Sequence, residues 1–411
     1  MPKYDLAVVG AGLGGLAAAA LVSRNNKKAI VFDPGDTAGG VLGVYKKNGF
    51  IFYPGPTLSF GFERGGTFQK LNESLGISQN ASLHSPCYQV ALPDRRITIY
   101  AEQSETLDEL RREFPREIDL IRKFYRDLRK DAAQNMKSRF SAYLARRKAA
   151  GDVVRNYRFS REMTAFLDVQ SYYFFRRPVA DISLEALITL FDSTPLTVHG
   201  GFRKLAEQMV DVLLKNGGEI RYDVPLSDIS ARDGRPAGLS TPQGVLEADA
   251  VLFNTEQNPR EAVLCLGLRD EVVPVSMFEE VLCVPDYSHP ERFFSLSLGA
   301  KDDETTAPRG MRTLTAAFSS ATRDQSNEAR IRQISAVIPF LTQFLVMNEE
   351  YDPAPRTYPV PGGLSFKNRR TRDSQAALSR SSKKGIFMLA DGAGTPAQTI
   401  ATAQAFVENM S

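Results

Sequence analysis

Six residues near the amino terminus, Gly10-Ala11-Gly12-Leu13-Gly14-Gly15, have the types and spacing to hold a pyrophosphate against the main chain. Gly10 permits a tight turn, Gly12 lets a phosphate approach the backbone, and Gly15 lets a helix pack close to a strand. The run Asp5 to Val9 reads as a short buried strand entering this turn, and the alanine-rich run Leu16 to Leu21 as a helix leaving it. Phosphates would then face the helix N-terminus, where free N–H groups and about half a positive charge favour an anion. A second strand, Ala29 to Phe32, ends in Asp33. An acid about 20 residues beyond the glycines can accept both ribose hydroxyls of an adenosine, which a 2′-phosphate would prevent. A glycine-rich turn by itself recurs by chance; here strand, glycines, helix, second strand and acid fall in register.

The residues just beyond Asp33 separate two cofactors. Gly39-Gly40 comes next, before the short segment Val44 to Phe52. A nicotinamide enzyme has no need of a second glycine pair, whereas FAD must also seat its ribityl chain and ring, so the residues point to non-covalent FAD. A flavin takes up a hydride or two electrons at its ring, and the protein then supplies placement and electrostatics. That division of labour fits a sequence with no Ser/His/Asp triad, no metal cluster and no redox CxxC. The three histidines, His84, His199 and His289, are scattered without i, i+4 ligand spacing. His199, next to Gly200-Gly201, reads either as a flavin-facing group or as an ordinary structural histidine. No acid or base for catalysis can be named from the sequence.

Four stretches resemble the flavin amine oxidase superfamily and, within it, the phytoene desaturase-like group of carotenoid and isoprenoid oxidoreductases. They are Asp5 to Asp33 with Gly39-Gly40; Gly49-Phe50 through Gly55-Pro56-Thr57-Leu58; Gly200-Gly201-Phe202-Arg203-Lys204-Leu205 with the run Gly217 to Val224; and Gly385 to Gly392. The resemblance implies that the second stretch passes near the isoalloxazine ring and that the backbone at Val224 grips the adenine. It further implies that Asp391 meets the ribityl-phosphate region and that a helix near Gln398 to Ile400 points its N-terminus at the ring. The cofactor contacts expected on these grounds are Gly10, Ala11, Gly12, Leu13, Gly14, Gly15, Asp33, Pro34, Gly39, Gly40, Val41, Gly55, Pro56, Thr57, Val224, Asn254, Asp391, Gln398, Thr399 and Ile400. Two positions depart from the group's pattern: Val41 stands where relatives usually carry arginine, and Ala390 where the last acid usually follows a glycine.

These motifs need a scaffold of more than one domain. A chain of 411 residues exceeds what one core comfortably fills, and 43% apolar with 24% charged residues is ordinary globular composition. The expected fold is α/β, a discontinuous Rossmann-type FAD-binding domain with an inserted α+β substrate domain containing a mixed sheet and helices. The FAD domain would comprise 1–67, 200–257 and 380–411, and the substrate domain 68–199 and 258–379. Within the latter, strands are expected near Tyr88 to Tyr100, Phe293 to Leu298 and Thr313 to Phe318, and a helix from about Glu328 to Met347. The aromatic run Tyr172, Tyr173, Phe174, Phe175 serves equally as pocket lining or as core.

Cys87, Cys265 and Cys283 are far apart, which implies neither a disulfide framework nor a zinc site and suits a reducing cytosol. No apolar stretch has membrane-spanning length, and the chain is expected to start at Met1 without a leader. A net charge of +3 implies no nucleic-acid partner. The segment 105–161 nevertheless holds 16 Lys or Arg against 9 Asp or Glu, a net +7 while the remainder is −4. It reads as a solvated helix face or as a peripheral contact with anionic lipid through Phe124, Tyr125, Phe140, Tyr143, Leu144 and their basic neighbours. The function expected is an FAD-dependent dehydrogenase or desaturase acting on a hydrophobic, isoprenoid or carotenoid-like substrate and reoxidised by oxygen or a quinone. The alternatives are an amine or porphyrinogen oxidase, a redox-neutral flavin isomerase, and a non-catalytic flavoprotein whose basic surface docks a partner.

Overall fold

The computed structural model describes residues 3–78, 81–135, 144–224, 228–232, 235–256, 261–351, 366–368, 378–381, 385–391 and 396–410. Strand Lys3–Val9 is buried continuously from Leu6 to Val9, the signature of a strand covered on both faces. It pairs in parallel with Ala29–Asp33 on one side and with Gly244–Glu256 on the other. Glu219–Tyr222 extends the sheet beyond Ala29–Asp33, and Ile386–Asp391 extends it beyond Gly244–Glu256, again in parallel. The chain thus builds outward from its first strand and later returns to that strand's other side. In such sheets the crevice at the carboxyl ends of the strands, where the order reverses, receives ligands. Among the described residues the sheet has nine strands, the others joining antiparallel.

Helices Leu13–Arg24, Thr67–Leu75, Arg203–Lys215 and Pro396–Glu408 share one core, in which Leu16, Leu71, Leu213, Ile400 and Phe406 are at most 1% exposed. A second core containing Tyr4, Val9, Phe32, Val251 and Phe253 is made from the alternate strand positions. Burial of each such side chain stabilises the fold by roughly 1.5–3 kcal/mol. Ala17 to Ala20 are wholly buried, and their small side chains let neighbouring helices approach the glycine helix closely.

A second sheet has, among the described residues, seven strands in the spatial order Leu345–Tyr351, Ala262–Arg269, Met311–Phe318, Phe294–Leu298, Glu280–Cys283, Tyr88–Ala91 and Arg96–Ile99. All neighbours are antiparallel except Glu280–Cys283 with Tyr88–Ala91, so the sheet is mixed. Its strands come from the two stretches of sequence read as an inserted domain. A small third sheet, Leu58–Ser59 with Leu196–Val198 and Ala81–Ser82, ties the segment after Thr57 to the segment before His199.

One expected element differs. The helix read over Glu328 to Met347 is instead helix Asn327–Val337, a short turn Leu341–Phe344 and edge strand Leu345–Tyr351. Pro339 offers no N–H and disfavours helical geometry at Ile338, which caps the first helix with φ −117° and ψ 89°. Phe340 then adopts a left-handed φ of 65°, which turns the chain. The strand beyond alternates in exposure around buried Met347 as it pairs with Ala262–Arg269.

Helix Arg161–Phe175 carries the aromatic run at its carboxyl end. At its start the Ser160 hydroxyl accepts from the Met163 N–H at 3.1 Å. Ser160→Ala is expected to lower stability by about 1 kcal/mol, read as a reduced thermal unfolding midpoint.

Candidate functional site

The glycine turn sits at the reversal point of the first sheet, and the structure shows why side chains are excluded there. Gly10 has φ +105°, and a methyl group on it would stand 2.3 Å from the Asn254 carbonyl oxygen. One on Gly14 would stand 2.1 Å from Leu389 Cδ2, and one on Gly15 2.5 Å from the Gly10 carbonyl oxygen. Asn254 therefore closes the turn from the next strand, its Nδ2 donating to Gly10 O at 3.5 Å. Helix Leu13–Arg24 begins at Gly12 with no side-chain cap and no acid in its first turn. Its leading N–H donors, with the adjoining glycines and buried Ala11 and Leu13, form a cradle suited to a pyrophosphate.

The second glycine pair folds onto the first. Gly39 N donates to Ala11 O at 2.8 Å, and a methyl on Gly40 would lie 3.6 Å from Gly12 Cα. Asp33, 5% exposed, accepts from Ala11 N at 2.6 Å through Oδ2 and from Gly35 N at 2.8 Å through Oδ1. Its carboxylate thus fixes the glycine turn from the end of the second strand. Half-buried Pro34 follows it, and Asp223 N donates to Asp33 O at 2.9 Å, which brings buried Val224 to the same strand end. The side chains of Val41 and Asp391 lie outside the described residues, as does Gly392. The backbone of Asp391 ends its strand opposite Glu256.

Helix Pro396–Glu408 meets both the cradle and a cavity. Thr399 packs beside Gly14, Ile400 is fully buried in the core, and Gln398 lines the cavity. The cavity measures about 170 Å³, and its walls include Pro56, Phe60, Tyr173, Phe174 and Arg176. Pro56 and Thr57 are held by their neighbours: Thr57 O accepts from Val198 N at 2.7 Å, and a methyl on Gly201 would stand 3.6 Å from Pro56 O. Gly55 precedes them, half-buried. Of the aromatic run, Tyr173, Phe174 and Phe175 face the cavity while Tyr172 stacks on Phe293. Phe174 is also core, with ring centroids 4.6 Å from Phe60 and 5.8 Å from Tyr88. Both roles weighed for these residues are therefore filled by one cluster.

The sequence reading passed over Glu280. It opens strand Glu280–Cys283, is 7% exposed, and stands directly across from Ser297 in the sheet. The Thr57 hydroxyl donates to Glu280 Oε1 at 2.5 Å and the Ser297 hydroxyl to Oε2 at 2.7 Å. Burial pushes the carboxyl up to about 7, against the two hydroxyls, which favour the ionised form. Glu280 lines a second cavity of about 550 Å³ whose walls also carry His84, Cys87, Met277, Glu279 and Arg312. Tyr173, on the wall of the first cavity, has its hydroxyl pushed up first by burial and then by the Glu280 charge. The one sequence signal for Glu280 is an acid at the head of the otherwise apolar run Val281 to Val284.

Elsewhere, His199 Nε2 is 2.6 Å from Ser82 Oγ, which is 2.7 Å from His84 Nε2. The three cysteines are buried, and burial alone raises the Cys87 thiol to about 11, so it holds no ready thiolate. In the basic segment, Phe124 and Tyr125 of helix Ile118–Asn135 face inward and are at most 4% exposed. Its cations include Arg112 with Glu109 at 2.8 Å, Arg129 with Asp192 at 3.4 Å and Arg146 with Glu185 at 2.8 Å. Phe140 and Tyr143 lie outside the described residues. Among the described residues no cluster could hold a metal ion, and no helix is long and apolar enough to cross a membrane.

Comparison with known proteins agrees with this geometry. Residues 8–75 match the model of an NAD(P)-binding Rossmann-like domain. The chain is 24% identical over 334 residues to a chloroplastic prolycopene isomerase of Daucus carota, covering 73% of this chain and 53% of that protein. It is 26% identical over 276 residues to a 4,4′-diapophytoene desaturase of a Methylomonas species, covering 61% and 53%. The chain spans about half the length of the curated relatives it matches. An oxidoreductase from Methanosarcina mazei shares the fold with a TM-score of 0.67 at 16% identity, over 99% of this chain and 100% of that one. A cyclohexylamine oxidase from Brevibacterium oxydans does so with a TM-score of 0.63 at 15% identity, over 100% and 99%. The chain is thus similar in sequence to carotenoid isomerases and desaturases and shares its fold with oxidoreductases, an amine oxidase among them.

Proposed function

We propose that the chain binds FAD non-covalently and dehydrogenates a hydrophobic, isoprenoid or carotenoid-like substrate. The observation that carries this reading is the junction at Pro56 and Gln398. One helix, Pro396–Glu408, lies beside Gly14 of the phosphate cradle and, at its start, lines the aromatic-walled cavity. Gly10 to Gly15, Asp33 and Gly39-Gly40 would hold the dinucleotide, and bound FAD supplies a hydride acceptor. The walls Phe60, Tyr173 and Phe174 would orient an apolar chain. At about 170 Å³ the cavity takes one segment of a long substrate, below the size that encloses a drug-sized ligand. Oxygen or a quinone would reoxidise the cofactor. The half-exposed Leu144 beside Arg146, Arg147 and Lys148 is the point at which the basic segment would touch an anionic bilayer peripherally.

Anaerobic addition of phytoene in phospholipid vesicles to the FAD-loaded protein is expected to bleach the oxidised flavin absorbance. Absorbance unchanged at saturating phytoene contradicts the dehydrogenase reading. Kinship with prolycopene isomerases supports a second reading, redox-neutral isomerisation. In that case turnover would require prior reduction of the flavin, and no net bleaching would accompany it.

A further inference from the structure

We propose that Tyr173, Thr57 and Glu280 form a proton relay joining the aromatic-walled cavity to the second one, with Glu280 holding the proton that leaves the substrate. This rests on the dehydrogenase reading. Removing two hydrogens from adjacent carbons sends one away as hydride, with its electron pair, to the oxidised flavin. The other leaves as a proton and needs an acceptor, for which the Tyr173 hydroxyl stands on the wall of the aromatic-walled cavity.

The placement of the three residues answers that need. Tyr173 is on the wall of the aromatic-walled cavity and Glu280 on the wall of the second one. Thr57 lies one residue beyond Pro56 of the first cavity, is hydrogen-bonded through its side chain to Tyr173 and donates to Glu280. In the proposed step the substrate C–H bond breaks, and each hydroxyl takes one proton as it passes its own forward. An O–H bond forms on the Glu280 carboxylate, which later gives the proton to water in the second cavity. The groups that face Glu280 suit this use. Ser297 and Thr57 donate neutral hydrogen bonds, and Glu279 adds a like charge. Arg312 shares the second cavity, but its Nε is bound to Gly299 O at 2.8 Å and its Nη1 lies 3.4 Å from Asp270. His84 and Cys87 line the same cavity.

The test uses FAD-loaded wild type, Glu280→Gln and Tyr173→Phe, with three readouts. Infrared difference spectra between pH 5 and pH 9 are expected to show a protonated-carboxyl band titrating near neutrality in wild type and absent from Glu280→Gln. Flavin occupancy and the unfolding midpoint at pH 5, where both side chains are neutral, are expected to match wild type. Flavin reduction by phytoene vesicles is expected to slow about 100-fold in Glu280→Gln and to lose its inflection near neutral pH. Tyr173→Phe should slow reduction while keeping the infrared band. Absence of a band that Glu280→Gln removes overturns the relay, as does an unchanged pH profile of reduction in a variant that holds its flavin. Failure of phytoene to bleach wild type overturns the underlying dehydrogenase reading instead, and the relay with it.

Discussion

Gly10→Ala is expected to yield protein without FAD, occupancy falling at least tenfold, and to lower stability by several kcal/mol. The added methyl has two penalties. It would lie 2.3 Å from the Asn254 carbonyl oxygen, a backbone atom of a central strand that cannot turn aside as a flexible side chain could. It would also force a non-glycine residue to φ +105°. Strain of that kind costs about 1–2 kcal/mol and overpacking roughly 1–3 kcal/mol more. Relief would come from moving the turn, which carries the Ala11 N–H that Asp33 accepts and the N-terminus that would face the pyrophosphate. Gly76→Ala is the matching control. Gly76 has φ +67° at a helix end with nothing within 4 Å of the added methyl. It should lose about 1 kcal/mol and keep its flavin. Visible absorbance per chain and thermal unfolding report both quantities, and equal flavin content in the two variants would disprove the cradle assignment.

The second large effect is on stability against pH. Glu280 moves from an ordinary 4.5 to about 7 on folding. Between those values the folded chain binds more protons at this site than the unfolded chain, so stability falls as pH rises and the deficit is complete above about 7. At about 1.4 kcal/mol per pH unit the deficit is on the order of 3 kcal/mol, since the residue is almost fully buried. Glu280→Gln keeps the shape and loses the titration. It should match wild type near pH 4.5 and exceed it by about 3 kcal/mol at pH 8, measured by denaturant unfolding. Asp168, raised to about 6 by burial, adds a decline of the same sign in both proteins, so the difference between them isolates Glu280. A wild type and variant that lose stability in parallel would show that Glu280 is already ionised at neutral pH in the folded state.

The legible part of the sequence was local. Strand, glycines, helix and Asp33 lie within 31 residues of one another, and the contact from Ala11 N to Asp33 spans 22 positions, whereas Asn254, which closes the turn from 244 positions away, is not signalled within that segment. The strands at Tyr88–Ala91, Phe294–Leu298 and Met311–Phe318 were readable for the same reason, from alternation or apolar runs within one segment. Glu280 was not readable. Its meaning depends on a strand register that sets it opposite Ser297 and on a loop 223 positions away that delivers Thr57. In sequence it is one acid in the charged pair Glu279-Glu280 before an apolar run. The helix read through Pro339 failed because apolar spacing across Glu328 to Met347 suits a helix, while the break at Ile338 and the edge pairing of Leu345–Tyr351 are decided by proline and by a partner strand. The aromatic run could be assigned to cavity and core together only once Phe174 was seen between Phe60 and Tyr88.

The most direct measurement is the visible spectrum of the purified chain after incubation with FAD and removal of free cofactor by gel filtration, followed by heat release. A bound flavin spectrum near one equivalent per chain, with all of the FAD freed on unfolding, is the expected result. A colourless chain that takes up no FAD, in protein shown to be folded, would contradict the reading on which cradle, cavity and relay all depend.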